Sequence, residues 1–516
     1  MIEQSMLDAV KQYMASLQQK ITLVLGRGEH GKRAELRTFL EQIVSTSAKL
    51  ALHDADADTS LGAISFAVHN ESGDTGIVFS GIPGGHEFSS LILAILQAGG
   101  SALKLDDSIQ SLIKGIRQPL RFETFVSLSC HNCPDVVQAL NQFSLLNPLI
   151  SNEMIDGGLF QERIDALGIQ GVPTVYLNGE VFANGKIDTA RLVEKLLEKY
   201  PDLATGSTQN LPVQDVLVIG GGPAGVAAAI YAARKGVAVT LVADRIGGQV
   251  KDTMDIENLI SVPKTTGPVL AGNLHQHLSV YPVTIKENLS VKSLTCGEKT
   301  HQVQLSTGET IESRTVIIAS GAKWRELNVP GEKENIGNGV AYCPHCDGPF
   351  FKGKDIAVIG GGNSGVEAAL DLAGIVNHVT VLEFADTLKA DKVLIDAMDK
   401  RDNIRVLTGV ATQSISARDG KVDGLCYQER ASGAEYTLPL AGIFVQIGLV
   451  PNSAFVDDNI EKTRFGEIAI NAKCETNVPG IFACGDVTTV PYKQIVIAMG
   501  EGAKAALSAF DYLLRQ

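Results

Sequence analysis

Cysteine is scarce in this chain, with eight in 516 residues. That is too few for the disulfide scaffold of a secreted protein, and in a reducing compartment a paired CxxC is more often redox-active or metal-binding. Positive charge is in deficit, 44 Lys and Arg against 58 Asp and Glu, for a formal net charge of −14. This balance argues against an electrostatic grip on nucleic acid or an anionic membrane and leaves small molecules and proteins as partners. Long apolar runs are missing too. The most apolar stretches, Val216 to Val242 and Ile356 to Ala373, are broken by charges and glycine-rich turns and read as α/β core. The first twenty residues have no basic stretch followed by an apolar run and read as an amphipathic helix. Neither a signal peptide nor a membrane span is expected, and the cytoplasm is the expected compartment.

What the chain does contain is organised in blocks. Its length fits roughly three or four domains. Lys199 to Gln214 (KYPDLATGSTQNLPVQ) has linker composition and splits the chain into two arms. Before it, Gly115 to Glu198 reads as a small βαβαββα unit: FETFVSL, a helix from Pro134 to Phe143, PLISNEMID, and a helix near Phe160 to Leu167. A hairpin joining PTVYLNG to EVFANG and a helix from Asp188 to Leu197 complete it. The preceding hundred residues repeat this order without the cysteines. ITLVLG corresponds to FETFVSL, IVFSGIPGGHEF to VYLNGEVFANGK, GRGEHG to SCHNC, and about Thr75 to Pro173.

After the linker, DVLVIGGGPAGVAAAIYAARKGVAVTLVADR places Gly220, Gly222 and Gly225 between a strand and a helix, with Asp244 ending the next strand. In that βαβ setting the glycines permit a tight turn and close approach of a pyrophosphate, the helix N-terminus supplies partial positive charge, and Asp244 is placed to hold a ribose. KDIAVIGGGNSGVEAALDLAGIVNHVTVLEF repeats the pattern with Gly360, Gly362, Gly365 and Glu383. Two dinucleotides are implied. Glu383 is followed by Phe384-Ala385-Asp386 with no arginine to meet a 2′-phosphate, so NADH is expected over NADPH.

Four of the cysteines form two pairs, SLSCHNC with Cys130 and Cys133, and YCPHCDG with Cys343 and Cys346. Two such pairs could build a Cys₄ zinc site, but a linker and most of a nucleotide-binding unit separate them, whereas zinc modules space their pairs by some tens of residues. As a redox dithiol, Cys130 stands at a helix start where the dipole favours the thiolate, and Cys133 is placed to close the disulfide. The other four, Cys296, Cys426, Cys474 and Cys484, stand alone and are expected to be inert. Glu87, in GGHEF, is read mainly as a solvated carboxylate at a helix start, with a polar contact inside the groove as the alternative.

TVIIASGAKW and GIFACGDVTTVPYKQIVIAMGEGAKAA resemble segments of two-dinucleotide flavoproteins, whose late Asp, here Asp486, contacts the flavin. Val172-Pro173-Thr174 resembles the cis-proline segment beside the CxxC of thioredoxin-like folds. The CPHCD run, inside a domain inserted between the two flavin segments, is similar to that of low-molecular-weight thioredoxin reductases. That resemblance implies that Cys346 faces the flavin, Cys343 exchanges with the next disulfide and Asp347 shuttles protons, with His345 a weaker candidate. End to end, the chain resembles the family of bacterial alkyl hydroperoxide reductase flavoproteins, with His131-Asn132 between the first two cysteines. The implied fold class is α/β, two tandem thioredoxin-like folds followed by two Rossmann-like domains. The expected spans are 1–110 and 111–198 for the thioredoxin-like folds, 199–211 for the linker, 212–327 and 447–516 for the FAD domain, and 328–446 for the inserted NADH domain. The implied flavin ligands are Gly220, Gly222, Gly225, Asp244, Gln249 and Asp486, those of NADH Gly360, Gly362, Gly365 and Glu383, and no metal is implied. The implied function is a relay from NADH through FAD, Cys343/Cys346 and Cys130/Cys133 to the disulfide of a separate peroxiredoxin, with a mobile arm and a homodimer. A thioredoxin reductase with a fused module and an NADH oxidase are the alternatives.

Overall fold

The computed structural model describes residues 2–130, 132–169, 171–185, 187–201, 203, 211–253 and 256–516, without the side chains of His345 and Cys346. Most of the expected linker, and His131, lie outside the described residues. The chain separates into two compact units. One comprises Met1–Pro212 with Lys286–Ser293 and Gln302–Glu312; the other comprises Val213–Ile285, Leu294–His301 and Ser313–Gln516.

In the first unit the helix expected at the start runs over α1 (Gln4–Met14) and buries Val10 and Met14. Strand β1 (Ile21–Leu25) alternates buried and half-buried residues, as a sheet with two unlike faces requires. It is followed by α2 (Arg33–Val44), β2 (Leu50–Asp54), the hairpin β3 (Ser65–Asn70) and β4 (Gly73–Ser80), α3 (Phe88–Ala98) and α4 (Asp107–Lys114). The second copy repeats this with β5 (Leu120–Val126), α5 (Cys133–Leu146), β6 (Ile150–Asp156), α6 (Gln161–Leu167), the hairpin β7 (Thr174–Leu177) and β8 (Glu180–Asn184), and α7 (Thr189–Lys199). Strand order is β2-β1-β3-β4 in the first copy and β6-β5-β7-β8 in the second, the same topology twice.

The two copies are not beads on a string. Strand β4 pairs in parallel with β6, from Ile77↔Asn152 to Ser80↔Ile155, so eight strands form one sheet. Their cores merge as well: Leu91 and Ile95 of the first copy and Val126, Cys133 and Val137 of the second lie in one buried cluster. The topology also corrects the sequence alignment of the repeat. Because β3, not β4, is the equivalent of β7, the counterpart of Pro173 is Ile64, the residue before β3, rather than Thr75.

The second part of the chain begins with the parallel pair β9 (Gln214–Ile219) and β10 (Val239–Ala243) around α8 (Pro223–Ala233), then α9 (Gly267–Leu278), β11 (Val283–Glu287), β12 (Val291–Thr295), β13 (His301–Leu305) and β14 (Thr310–Ile318). These six strands are ordered β11-β10-β9-β14-β13-β12. Strand β15 (Ala322–Trp324) leads out of this sheet, and β16 (Val340–Ala341), α10 (Pro344–Asp347), β17 (Asp355–Ile359), α11 (Asn363–Leu372), β18 (His378–Glu383), α12 (Lys392–Met398) and β19 (Ile404–Thr408) follow. The antiparallel trio β20 (Val410–Arg418), β21 (Lys421–Glu429) and β22 (Glu435–Pro439) precedes β23 (Gly442–Val445), which returns to give the order β16-β23-β17-β18-β19. Strand β24 (Leu449–Pro451) pairs back onto β15, β25 (Ile481–Ala483) rejoins the earlier sheet beside β14, and α13 (Ile495–Leu513) ends the fold. One Rossmann-like domain is thus inserted in another, entering and leaving by a paired strand. Strands β9 and β17 are almost continuously buried, as strands covered on both faces must be.

Candidate functional site

Helix α5 begins at Cys133, with Pro134 in its first turn and Asn132 as its N-cap. Cys133 is 0% exposed, whereas Cys130, three residues earlier in the preceding turn, is half-buried, and both are thiols. A hydrogen bond to Cys130, and burial after it, push the Cys133 thiol far above its ordinary range. Cys133 therefore keeps its proton and donates it toward Cys130, the better exposed sulfur of the two. The Cys130 Sγ lies 3.8 Å from the Val172 carbonyl oxygen, and the Val172–Pro173 peptide is cis. The hairpin that follows thus brings its entry segment against the dithiol.

Glu87 overturns the reading given to it from sequence. It ends a short 3₁₀ turn, Gly85–Glu87, and is 0% exposed rather than solvated. Burial raises its pKa to about 7, Ser90 opposes the rise, and the neighbouring Cys130 and Asp135 add to it. The turn is fixed to the second copy because the His86 amide donates to the Leu128 carbonyl at 3.0 Å, just upstream of Cys130. The first copy thereby places a carboxyl group beside the thiols of the second.

At the position where the second copy has Cys133, the first residue of its helix, the first copy has Arg33. The Arg33 guanidinium donates to the Ala63 carbonyl at 2.8 Å, to Asp54 at 3.2 Å and to the Gly26 carbonyl. Ala63 is the counterpart of Val172. A charged fork thus ties together the loops that the dithiol occupies in the other copy. Sequence reading passed over Arg33 because nothing local distinguishes it from a solvated arginine.

The two glycine fingerprints have the same build. Gly220 has φ +115° and Gly360 φ +121°, conformations that favour glycine. A Cβ on Gly225 would meet the Gly220 carbonyl oxygen at 1.8 Å, and one on Gly365 the Gly360 oxygen at 1.9 Å, so both glycines let a helix sit directly against its strand. Gly222 and Gly362 have nothing within 4 Å of an added Cβ and open onto the space before α8 and α11. A cradle of this shape fits a pyrophosphate at a helix N-terminus. In the second fingerprint Glu383 is already braced, its oxygens accepting from the Gly361 amide at 2.5 Å and the Ala385 amide at 2.7 Å. In the first, Asp244 is exposed just past β10, and the Gln249 amide donates to the Ala322 carbonyl at 2.5 Å.

Asp486 lies half-buried in the turn Gly485–Val487, its pKa raised by burial with Lys493 opposing. An added Cβ on Gly485 would approach the Ala224 Cβ to 3.0 Å, so this turn abuts the first residues of α8. The residues expected to hold a flavin therefore converge on one end of the sheet. Cys343 is disulfide-bonded and caps α10, the short helix that also carries Cys346. Its sulfur is 4.0 Å from Gln494 Nε2, at the start of α13 and a few residues beyond Asp486, a neighbour that sequence reading missed because it took only the aspartate from that segment. Burial raises the Asp347 pKa to about 6, opposed by the Cys343 amide. A carboxyl group tuned toward neutrality beside a disulfide suits proton transfer to and from a sulfur. The side chains of Cys346 and His345 lie outside the described residues. Of the cysteines outside the two pairs, burial, the first cause in each case, lifts Cys296 to about 11 and Cys474 to about 12 and raises the buried Cys484 as well.

Residues 214–502 match the pyridine nucleotide-disulphide oxidoreductase family and residues 121–198 a thioredoxin domain family. The chain is 48% identical to the F subunit of the alkyl hydroperoxide reductase of Escherichia coli strain K12, over all of this chain and 99% of that protein. It is 47% identical to a Bacillus subtilis strain 168 protein named NADH dehydrogenase, over 98% of each. Among solved structures, the thioredoxin reductase of Streptococcus pyogenes MGAS5005 matches with a TM-score of 0.57 at 35% identity, covering 59% of this chain and 99% of that one. No helix among the described residues is long and apolar enough to cross a membrane.

Proposed function

The chain belongs to the family of alkyl hydroperoxide reductase F subunits, and from that premise we propose that it carries electrons from NADH to the disulfide of a separate peroxiredoxin. As a pyridine nucleotide-disulphide oxidoreductase it is an enzyme of flavin and pyridine nucleotide. The finer reading is that FAD sits against Gly220, Gly222, Gly225, Asp244, Gln249 and Asp486, and NADH against Gly360, Gly362, Gly365 and Glu383. Bound flavin supplies the two-electron carrier between nicotinamide and disulfide. The hydride brings two electrons, and with one further proton these reduce the Cys343–Cys346 disulfide to two thiols. Asp347 holds or returns the proton as the sulfur of Cys343 leaves to attack. Two exchanges follow, first onto the Cys130–Cys133 disulfide and then onto the peroxiredoxin. In each a thiolate attacks, one S–S bond forms as another breaks, and the released thiolate is protonated. The enzyme is read as a cytoplasmic homodimer.

The observation that carries this reading is the asymmetry of the first dithiol. Cys133 is fully buried and holds its proton toward Cys130, which is more accessible, as an outbound attacker and its resolving partner require. An anaerobic NADH titration with thiol counting tests it. One flavin and two disulfides should accept three hydride equivalents and expose four new thiols. Uptake of a single equivalent with no new thiols would refute the relay.

A second reading, electron delivery to oxygen or another small acceptor, is favoured by the full-length relative named NADH dehydrogenase. Turnover with oxygen alone, equal to that with a disulfide-bonded peroxiredoxin, would select it.

A further inference from the structure

The run Glu383-Phe384-Ala385-Asp386 contains no arginine, but the fold brings one to it. The Ala385 carbonyl accepts from the Gly409 amide at 2.9 Å, and the Gly409 carbonyl accepts from the Arg430 amide at 2.9 Å. Arg430, which follows β21, is thus held by backbone bonds at the end of β18. Its side chain folds back over the same run. The guanidinium carbon is 4.1 Å from the centroid of the Phe384 ring, and Nη1 donates to the Phe384 carbonyl at 2.9 Å and reaches Asp386 at 3.5 Å. Phe384 is 62% exposed, so this ring is not held as core; what covers it is the guanidinium. A planar cation therefore sits one peptide unit from the carboxylate expected to hold the adenosine ribose.

That carboxylate decides what the cation can do. Glu383 is fixed by two backbone amides with its charge facing the strand end, where it would accept hydrogen bonds from a ribose diol and repel a 2′-phosphate. Arginine forks are well matched to phosphate oxygens. We infer that Arg430 is a latent 2′-phosphate ligand, kept from that use by Glu383, so that the two residues together set the discrimination between NADH and NADPH. The inference rests on the reading of Gly360 to Glu383 as the pyridine-nucleotide site.

Isothermal titration of the flavin-loaded, full-length protein with NAD⁺ and NADP⁺ tests it without turnover. Glu383→Gln should weaken NAD⁺ and tighten NADP⁺, shifting the ratio of their dissociation constants by roughly tenfold or more. Adding Arg430→Met should return NADP⁺ to its wild-type affinity. Arg430→Met alone, with Glu383 still in place, should leave NADP⁺ affinity within about twofold of the native protein. An NADP⁺ gain that survives Arg430→Met, or a several-fold loss of NADP⁺ affinity from Arg430→Met alone, overturns the inference and leaves the nucleotide site standing. NAD⁺ affinity indifferent to Glu383→Gln overturns the reading of the site itself, and the inference with it.

Discussion

Of the two thioredoxin-like folds, the second has Cys133 at the first residue of its helix and the first has Arg33, although strand order and helix placement are the same in both. In the second, Cys130 sits 3.8 Å from the Val172 carbonyl; in the first, Arg33 donates to the equivalent Ala63 carbonyl at 2.8 Å. A dithiol must be free to leave its neighbours and form a new bond, so the loops around it cannot be tied through it. A guanidinium with three acceptors does the opposite, and it holds those loops closed. Without a dithiol at that place, the first copy ties its loops together through Arg33. The first copy is not inert, however: it places Glu87 against the thiols and anchors the turn before Cys130 through His86. The surroundings of Cys130 and Cys133 are a product of both copies.

The largest effect of a substitution is expected in the second copy. Cys133→Ala leaves the attacking sulfur without its resolving partner. Multiple turnover with a disulfide-bonded protein acceptor should fall by about three orders of magnitude or more, with a mixed disulfide trapped at Cys130 and visible by intact mass. Turnover near wild type without a trapped species would mean that a different thiol serves the acceptor.

Glu87→Gln should act on pH dependence. Glu87 titrates at about 7 in the folded protein against an ordinary 4.5. The stability linked to its protonated form is therefore complete below about 4.5 and lost as pH rises through 7, at a cost of about 3 kcal/mol at pH 8. The glutamine variant escapes that loss. Its unfolding midpoint should exceed that of the wild type at pH 8, with the gap closing toward pH 4.5. The glutamate charge also opposes ionisation of the adjacent thiols, so alkylation of Cys130 at pH 7.5 should speed up several-fold in the variant. A gap in midpoint that does not change with pH would contradict the burial of an ionisable carboxyl group.

Arg33→Ala should have the smallest functional effect. Loss of hydrogen bonds from a charged donor should destabilise the first copy by about 1.5–3 kcal/mol, read as a lower unfolding midpoint or faster amide exchange in β1 and β3. NADH-dependent reduction of the acceptor should stay within about twofold. A loss of turnover as large as that of Cys133→Ala would give the first copy a part in electron transfer.

Much of this was legible in the sequence because the chemistry is local. Each glycine fingerprint lies within a dozen residues of its strand and helix, and each CxxC carries its helix-start setting with it. The Rossmann-like and thioredoxin-like folds could be read from those runs. What was illegible depends on residues distant in sequence. No local signal reports that β4 pairs with β6 across the copies, so the merged sheet was not foreseen. The repeat was aligned one strand off because both strands of the β3–β4 hairpin have the same residue types, and only pairing order tells them apart. Glu87 looked solvated because its own segment is polar; the second copy buries it. Arg430 was invisible near Glu383 because a bridge through Gly409 carries it there.

In the proposed relay, electrons leave through Cys130. The most direct measurement is stopped-flow mixing of Cys130→Ser with NADH, with a disulfide-bonded peroxiredoxin present. The relay predicts flavin reduction at the wild-type rate, two thiols formed at Cys343 and Cys346, and no reduction of the acceptor. Reduction of the acceptor by this variant at the wild-type rate would contradict it.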